Sequence, residues 1–326
     1  MKKDKIVVLM ATYNDWESVA ELVPKIDNEL VKNDLSGHIV IVDDGSTDVT
    51  GRTKLLDAQL SSINHIECLE LYRNQGNQRA NAVGIAYCND TVVGDYLILM
   101  DSDQEDKPKY IPELIKACAS YDDRQIVFAE RSERSEGWQF KFFYAIYQKL
   151  YNILTGMKIS IGNFSAIPYV LLARVAHISE LWSHYPAAIM RAKLPFSTIC
   201  SDRGKRTLGI SKMSTVPLLL HALSGFAVHA EIIGARILVT AGVFGIITLC
   251  VVIGLVAIRL FTDLPILGWT SQIIGMLIII IFQILITAGI MVFLIIAGRM
   301  QPAIAPAQVY SNFIMKKLTL LCRNVS

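Results

Sequence analysis

The stretch that decides the fold is YLILMDSDQED, residues 96–106. Its apolar run LILM leads directly into four acidic residues, which are Asp101, Asp103, Glu105 and Asp106. Short uncharged runs are typical of strands that are buried on both faces of a sheet. Acidic groups crowded at the end of such a strand repel one another, so we expect a positively charged group to bind there.

Short apolar runs recur along the first 130 residues or so, and segments of helical periodicity separate them. The runs that we predict to be strands are 6–10, 39–42, 65–72, 95–100 and 126–130. Helices are expected between the first two runs, near residues 78–88, and from Pro108 onward. Strands that alternate with helices predict an α/β fold, with a mainly parallel sheet and helices on both faces.

Acidic residues follow two of the predicted strands, at the edge where ligands bind in such sheets. Asp43 and Asp44 follow the second strand, and Asp101 and Asp103 follow LILM. Two aspartates at positions i and i+2 can direct oxygen atoms to one point, and hard cations such as Mg²⁺ or Mn²⁺ prefer carboxylate oxygens. We therefore predict a divalent ion that carries a diphosphate, with Glu105 as a third ligand. A solvated acidic loop is the alternative.

The motif VDDGSTD, residues 42–48, contains turn residues and a candidate helix cap. An ordinary strand–turn–helix connection explains those residues, but it leaves the adjacent Asp43 and Asp44 unexplained. We expect Asp44 to accept a hydrogen bond from a nucleotide base or a ribose hydroxyl. The sequence contains neither GxGxxG nor GxxxxGK[ST], which argues against a dinucleotide site and a P-loop.

Two long uncharged segments set the chain apart from an ordinary soluble enzyme, and mean hydropathy is +0.41. Residues 237–258 and 273–297 each reach the ~20 residues that a membrane-spanning helix needs. Helices buried in a soluble core are the alternative, although these runs exceed the usual length of such helices. Basic residues flank the pair on its outer ends, so we predict an integral membrane protein with both termini in the cytoplasm. Trp269 is expected to anchor the connecting loop at the interface.

We divide the chain into a cytoplasmic α/β domain (1–213), an interfacial segment (214–232), a transmembrane hairpin (233–299) and a cytoplasmic tail (300–326). The second segment is apolar with few charges, which predicts a helix on the membrane surface; an ordinary core helix is the alternative. The soluble part has no excess of basic residues, so we expect no nucleic-acid partner. The six cysteines form no CxxC pair, which argues against a cysteine-based zinc or redox site.

Four segments, in this order and spacing, resemble family 2 glycosyltransferases, which have the GT-A fold. They are ATYND (11–15), IVDDGSTDVT (41–50), RNQGNQRANAVGIAYC (73–88) and LILMDSDQEDKPKYIPEL (97–114). The similarity continues through FAERSER (128–134), LTGMKIS (154–160) and RTLGISKMS (206–214). Two spans follow, and this layout is similar to the polyprenyl-phosphate glycosyltransferases.

The resemblance implies a role for particular residues in each segment. The implied ligands of the nucleotide-sugar are Ala11, Tyr13, Asp15, Asp44, Asp101 and Ser102. The implied ligands of Mg²⁺ or Mn²⁺ are Asp101, Asp103 and Glu105. The implied catalytic residues are Asp103, Arg131, Arg206 and Lys212, with Arg134 and Ser211 near the phosphates. Solvated cations that bind lipid headgroups are the alternative for Arg206, Lys212 and Arg134.

The sequence departs from the family pattern at several positions. Ala11 stands where the family usually has Pro, Val49 replaces Gly, and Glu105 replaces Gln. More important, GNFSA (162–166) replaces an Asp-Phe-Arg segment, so Asn163 stands where an Asp could act as a base.

The resemblance implies inverting, metal-dependent transfer of a sugar from a nucleotide-sugar, expected to be a UDP-sugar, to a polyprenyl phosphate such as undecaprenyl phosphate. A lipid phosphate is anionic near neutral pH and needs no base, whereas a hydroxyl acceptor needs one. The alternatives are transfer to a hydroxyl of a glycan or glycolipid, and a non-catalytic subunit anchored in the membrane. Two spans per chain are also compatible with a homo-oligomer.

Overall fold

The computed structural model describes residues 4–131, 138–157, 161–202, 223–261, 268–300 and 302–323. The chain separates into two compact units. The first unit is drawn from 1–149, 158–228 and 303–326, and the second from 150–157 and 229–302.

The first unit contains an eight-stranded sheet in the order β7-β5-β6-β4-β1-β2-β3-β8. The strands are β1 (Lys5–Thr12), β2 (Ser36–Asp43), β3 (Ile63–Leu71), β4 (Tyr96–Leu99), β5 (Ile126–Arg131), β6 (Ile161–Pro168), β7 (Phe196–Ser201) and β8 (Ile314–Cys322). Strands β1 to β4 pair in parallel, as do β5 and β7, whereas β6 and β8 are antiparallel to their neighbours. The predicted α/β class with a mainly parallel sheet is confirmed.

Helices cover both faces of this sheet. The helices that precede the hairpin in the chain are α1 (Trp16–Lys32), α2 (Gly51–Leu56), α3 (Asn77–Thr91), α4 (Ile111–Ser120), α5 (Trp138–Thr155), α6 (Tyr169–Ala176) and α7 (Tyr185–Arg191). Those that pack on strands of the sheet include α1, α3, α4, α6 and α7. Successive residues of a strand face opposite sides, and β1 therefore contributes to two apolar clusters. Ile6, Val8 and Met10 pack in the cluster that includes α1, and Val7 and Leu9 pack in the cluster that includes α3.

The second unit is dominated by two long apolar helices, α8 (Ala230–Phe261) and α9 (Trp269–Met300), which pack against each other. Their mean hydropathies, 2.7 and 2.9, and their lengths are sufficient for crossing a membrane. None of either apolar window is buried, so these helices do not fit the alternative of a soluble core. The predicted pair of long apolar helices is thus present, each extending beyond the predicted span.

The segment after the hairpin differs from the predicted separate tail. A short helix, α10 (Pro306–Val309), leads into β8, which pairs with the edge of β3. Lys317 lies opposite Leu69, and Lys316 lies opposite Glu70. These two lysines, which are among the basic residues on the outer side of the second span, are therefore part of the sheet. A strand with charges at adjacent positions lacks the uninterrupted apolar pattern from which strands are predicted.

Several predicted residues lie outside the described part of the chain. Residues 132–137 include Arg134, and residues 203–222 include Arg206, Ser211 and Lys212. The same gap contains the first part of the predicted interfacial segment, which stays a prediction.

The pairing of β8 with β3 leads to a prediction about stability. Leu318 lies opposite Cys68 and packs against the cluster that includes α1, so Leu318→Asp should place a carboxylate against apolar side chains. We expect a loss of about 2 kcal/mol, which corresponds to a melting temperature lower by ~4–8 °C. Met315 on the same strand is 54% exposed, so Met315→Asp should leave the melting temperature within ~1 °C. Equal melting temperatures for the two variants would show that β8 does not pack as described.

Candidate functional site

The carboxyl ends of β1, β2 and β4 lie along one edge of the sheet, which we call the strand-end edge. In the parallel register Thr12 pairs with Asp43, and Leu9 pairs with Leu99. The loops that follow these strands therefore begin side by side. They carry the three predicted acidic and polar motifs, so the structure brings those motifs to the same edge.

Asp43 is held by donors from three parts of the chain. Its Oδ2 accepts hydrogen bonds from Trp16 Nε1 and Arg52 Nη2, both at 2.9 Å, and its Oδ1 accepts one from Ser46 N at 2.8 Å. The side chain is 2% exposed. Arg52 also pairs with Glu70 at 2.6 Å and lies 4.5 Å from the centroid of the Trp16 ring. These bonds use both carboxylate oxygens, so Asp43 joins α1, α2 and β2 at the strand-end edge.

Asp44, the predicted nucleoside ligand, is 2% exposed and contacts the loop before α3. Its two oxygens accept hydrogen bonds from the backbone N–H groups of Gln75 at 2.7 Å and Gly76 at 2.8 Å. Burial raises the pKa of Asp44, while these two hydrogen bonds act in the opposite direction. Asp44 therefore positions the start of α3, and its contact with a nucleoside stays a prediction.

The loop after β1 contains the other predicted nucleoside ligands. Tyr13 is 43% exposed, which leaves its ring available to a ligand, whereas Ala11 is buried in the strand. Asp15 accepts a hydrogen bond from Ser18 Oγ at 2.7 Å. Between them, Asn14 adopts a positive φ of 50°, and its Oδ1 accepts hydrogen bonds from the backbone of Thr47 and Asp48. Asn14 thereby joins the loops after β1 and β2.

Asp101, at the end of β4, is contacted by side-chain amides. Its Oδ1 accepts hydrogen bonds from Asn163 Nδ2 at 3.2 Å and Asn77 Nδ2 at 3.4 Å. Gln78 Nε2 donates to Asn163 Oδ1 at 3.2 Å, which fixes the amide of Asn163 with its Nδ2 towards Asp101. Gln78 is itself oriented, because its Oε1 accepts from Tyr185 N at 2.8 Å. Within the described part of the chain, Asp101 Oδ2 receives no hydrogen bond.

The rest of the acidic loop is tightly organised. Asp103 Oδ1 accepts a hydrogen bond from Glu105 N at 3.1 Å, and the buried Asp106 accepts one from Asp101 N at 2.9 Å. Between them Gln104 has a φ of 67°, a left-handed conformation that is uncommon for residues other than Gly. Its side chain contacts Lys25 and Glu21 of α1, which hold that turn in place. Ser102, a predicted donor ligand, is buried at 7% exposure.

The predicted metal ligands are on one loop, but their three carboxylates do not converge. Among the described residues, the group of three possible ligands within 4.8 Å of one another is His38, His65 and Glu67, which lies elsewhere. Asp101 still suits Mg²⁺ or Mn²⁺, because one of its oxygens is oriented by two amides and the other receives no donor from the residues that the structure describes. Mg²⁺ commonly uses only one or two carboxylates together with substrate phosphates.

A narrow cleft lies beside the acidic loop. Its lining residues are Glu105, Asp106, Lys107, Tyr110, Phe164, Ser201 and Asp202. Lys107 and Lys109 lower the pKa of Asp202 to about 2, and Tyr110 also donates to it. Arg131, a predicted catalytic residue, ends β5 and pairs with Ser201 of β7. Arg131 thus lies on a strand next to one wall of this cleft.

The amides around Asp101 are the functional candidates that sequence reasoning missed. Asn77 and Gln78 belong to the motif RNQGNQRANAVGIAYC, so their position in a family motif was visible, but their partner was not. For Asn163 the sequence indicates only that its side chain cannot act as a base, and it does not predict the hydrogen bond to Asp101. The place of Asn77 and Gln78 in the chain was a usable signal of a role at the site. They are the first residues of α3, and Asp44 holds the loop that precedes this helix.

The contacts of Asp43 predict that this residue stabilises the fold. In Asp43→Asn the half-buried Arg52 loses the negative charge of Asp43, and the single oxygen of the amide cannot replace both carboxylate oxygens as an acceptor. We expect a loss of about 2–3 kcal/mol, seen as a melting temperature lower by ~5–10 °C. Glu17→Gln is the matched control, because it removes a solvent-exposed pair with Lys54 and should change the melting temperature by ~1 °C or less. An Asp43→Asn variant with the melting temperature of the wild-type protein would contradict the structural role assigned to Asp43.

Comparisons with known proteins agree with this architecture. The sequence profile of Glycosyl transferase family 2 matches residues 7–182, more than half of the chain. An undecaprenyl-phosphate 4-deoxy-4-formamido-L-arabinose transferase from Sodalis glossinidius (strain morsitans) is 30% identical over 138 residues. That match covers 42% of this chain and only 40% of the relative.

Solved structures also resemble this chain. Mannosyl-3-phosphoglycerate synthase from Rubrobacter xylanophilus gives a TM-score of 0.50 at 12% identity, over 70% of this chain and 73% of the other, and supports the fold alone. Glucosyl-3-phosphoglycerate synthase from Mycobacterium tuberculosis, solved with Mn²⁺ and UDP-glucose, gives a lower TM-score of 0.47 at 15% identity, over 71% and 80% of the two chains. The profile match, together with the GT-A-like sheet and the ordered strand-end motifs, shows that this chain belongs to glycosyl transferase family 2.

Proposed function

We propose that this protein transfers a sugar from a nucleotide-sugar, expected to be a UDP-sugar, to a polyprenyl phosphate at the cytoplasmic face of a membrane. The reaction is inverting and depends on Mg²⁺ or Mn²⁺. The observation that carries the proposal is the arrangement of Asp101 at the end of β4. One of its oxygens is held by two amides, and the other receives no hydrogen bond from the described residues.

The acceptor assignment has three supports. The Sodalis relative is named for undecaprenyl phosphate, and α8 and α9 are long and apolar enough to cross a bilayer. The third support is chemical. Asn163 of β6 donates a hydrogen bond to Asp101, and an amide cannot remove a proton from a hydroxyl. A phosphate with a second pKa of ~6 is already a nucleophile at neutral pH.

The side chains of this protein prepare the site for that reaction. Asn77 and Asn163 fix Asp101, and the bond from Asp101 N to Asp106 fixes the backbone of the loop. A bound Mg²⁺ or Mn²⁺ would act as a Lewis acid that neutralises the departing diphosphate, an effect worth several kcal/mol. Arg131, Arg206 and Lys212 are proposed to add positive charge near the phosphates. The exposed ring of Tyr13 is proposed to contact the nucleoside.

Asp101 provides the first test. Asp101→Asn keeps an acceptor oxygen for Asn77 and Asn163 but removes the charge that binds the metal. We expect label transfer from a nucleotide-sugar to undecaprenyl phosphate to fall at least ~100-fold, the effect of ~3 kcal/mol in a barrier. Binding of Mn²⁺ in the presence of UDP, followed by the electron paramagnetic resonance of free Mn²⁺, should weaken in parallel.

Asp57→Asn is the matched control, because Asp57 is an exposed residue at the end of α2 and should retain full transfer. Full transfer by Asp101→Asn would contradict the proposal. Absence of transfer by the wild-type protein from a panel of nucleotide-sugars, with lipid and metal present, would instead favour a non-catalytic subunit.

The acceptor class predicts a pH dependence. With undecaprenyl phosphate, the rate should be level near pH 7–8 and fall about tenfold per pH unit well below pH ~6, because the phosphate then loses its second charge. Undecaprenol, which ends in a hydroxyl, should accept no sugar. Comparable transfer to undecaprenol or to a glycolipid hydroxyl would contradict the assignment of a lipid phosphate as the acceptor and would support a hydroxyl acceptor instead.

A further inference from the structure

A polar cluster interrupts an apolar face of the sheet at the amino ends of β2 and β3. Alternate residues of a strand share a face, so His38 lies in the row of Val40, and Glu67 lies in the row of Leu69. Val40 and Leu69 belong to the buried cluster that also contains residues of α3. His38 pairs directly with His65 across the two strands. Three polar side chains therefore occupy positions that apolar residues fill farther along the same strands.

The ligand atoms of these side chains converge on one point. His38 Nε2 lies 2.8 Å from Glu67 Oε1, and His65 Nε2 lies 3.3 Å from the same oxygen. All three ligand atoms lie within 4.8 Å of one another. His38 Nε2 is buried and has no hydrogen-bond partner among the described residues, although Glu67 Oε1 is close.

The other oxygen of Glu67 has its own partners. Lys317 Nζ lies 2.9 Å from Oε2, and the Tyr87 hydroxyl donates to the same atom. These two groups come from β8 and α3, and they orient the carboxylate with Oε1 towards the two imidazoles. Carboxylates and imidazoles that bind metals are commonly oriented by such outer partners.

We propose that His38, His65 and Glu67 form a zinc-binding site that connects the amino ends of β2 and β3. Two imidazole nitrogens and one carboxylate oxygen are a common ligand set for zinc, with water in the fourth position. In a tetrahedral site with bonds of ~2.0–2.1 Å, ligand atoms are about 3.3 Å apart. The observed separations from Glu67 Oε1, 2.8 Å for His38 Nε2 and 3.3 Å for His65 Nε2, are close to that value, and the ligand atoms of the two histidines lie within 4.8 Å of each other.

This site is separate from the one proposed for catalysis. His38 lies near the start of β2 and Asp43 at its end, a separation of five residues or ~16 Å along the strand. The chemistry differs as well, because imidazole suits zinc, whereas the carboxylate loop suits Mg²⁺ or Mn²⁺. The proposal therefore does not depend on the proposed function.

Zinc content is the test. Full-length protein without a histidine tag is treated with a chelator, incubated with zinc, passed through a desalting column and analysed by elemental mass spectrometry. We expect about one zinc per wild-type chain and at least a fivefold loss in His38→Gln and in His65→Gln. Zinc should also raise the melting temperature of the wild-type protein and leave that of the two variants unchanged.

Two controls separate this site from others. His177→Gln replaces an exposed histidine after α6, and Asp101→Asn alters the proposed catalytic loop; both should retain zinc like the wild type. Failure of wild-type protein to retain zinc, or equal retention by the His38 and His65 variants, overturns the proposal. Should those variants fail to fold, X-ray absorption on the wild-type zinc protein decides: scattering from two imidazoles supports the site, and its absence overturns it.

Discussion

The burial of two adjacent carboxylates at the end of β2 is the constraint on which the structure of the strand-end edge depends. Asp43 and Asp44 are each 2% exposed, and a buried charge is costly unless donors replace the lost water. Asp43 obtains its donors from α1, α2 and the following turn, whereas Asp44 obtains them from the backbone before α3. Satisfying these two charges places three loops around one edge.

The parallel core of the sheet was predictable because its strands are continuous apolar runs. Residues 6–10 of β1, 39–42 of β2 and 96–99 of β4 are buried on both faces, so these runs have no polar alternation that could be mistaken for a loop. β6 and β8 were not predictable in this way. β6 contains Gly162, Asn163 and Ser165, and it is a strand because it fills the space between β4 and β5. β8 carries Lys316 and Lys317 and becomes ordered against the open edge of β3.

For the candidate site, too, the sequence predicts local motifs but not the contacts between residues that are far apart in the chain. A pair of aspartates after an apolar run indicates a ligand edge, but the sequence does not say which carboxylate has internal partners. Asp43 is neutralised by Arg52, nine positions later, whereas Asp101 is approached by Asn163, which is 62 positions away. Only the antiparallel pairing of β6 with β4 brings that amide to the acidic loop. Contacts of this kind depend on the topology of the sheet, which local patterns do not determine.

The amide at position 163 also changes the chemistry of the edge. A carboxylate placed 3.2 Å from Asp101 Oδ1 would repel it, and one of the two groups would tend to hold a proton. The amide instead donates a hydrogen bond to Asp101 Oδ1 without placing a second negative charge beside it. An Asn at this position is thus compatible with the proposed metal binding by Asp101, while it removes a possible base. Both consequences are compatible with an acceptor that brings its own negative charge.

The return of the chain to the sheet constrains the hairpin. Segments of the first unit precede α8 and follow α9, and β8 is hydrogen-bonded to β3. Both ends of the hairpin therefore lead into one folded unit, which cannot be divided between two sides of a bilayer. If α8 and α9 both cross, they must enter and leave on the same side. The sheet thus supplies a second argument for a hairpin, one that does not use the distribution of lysine and arginine.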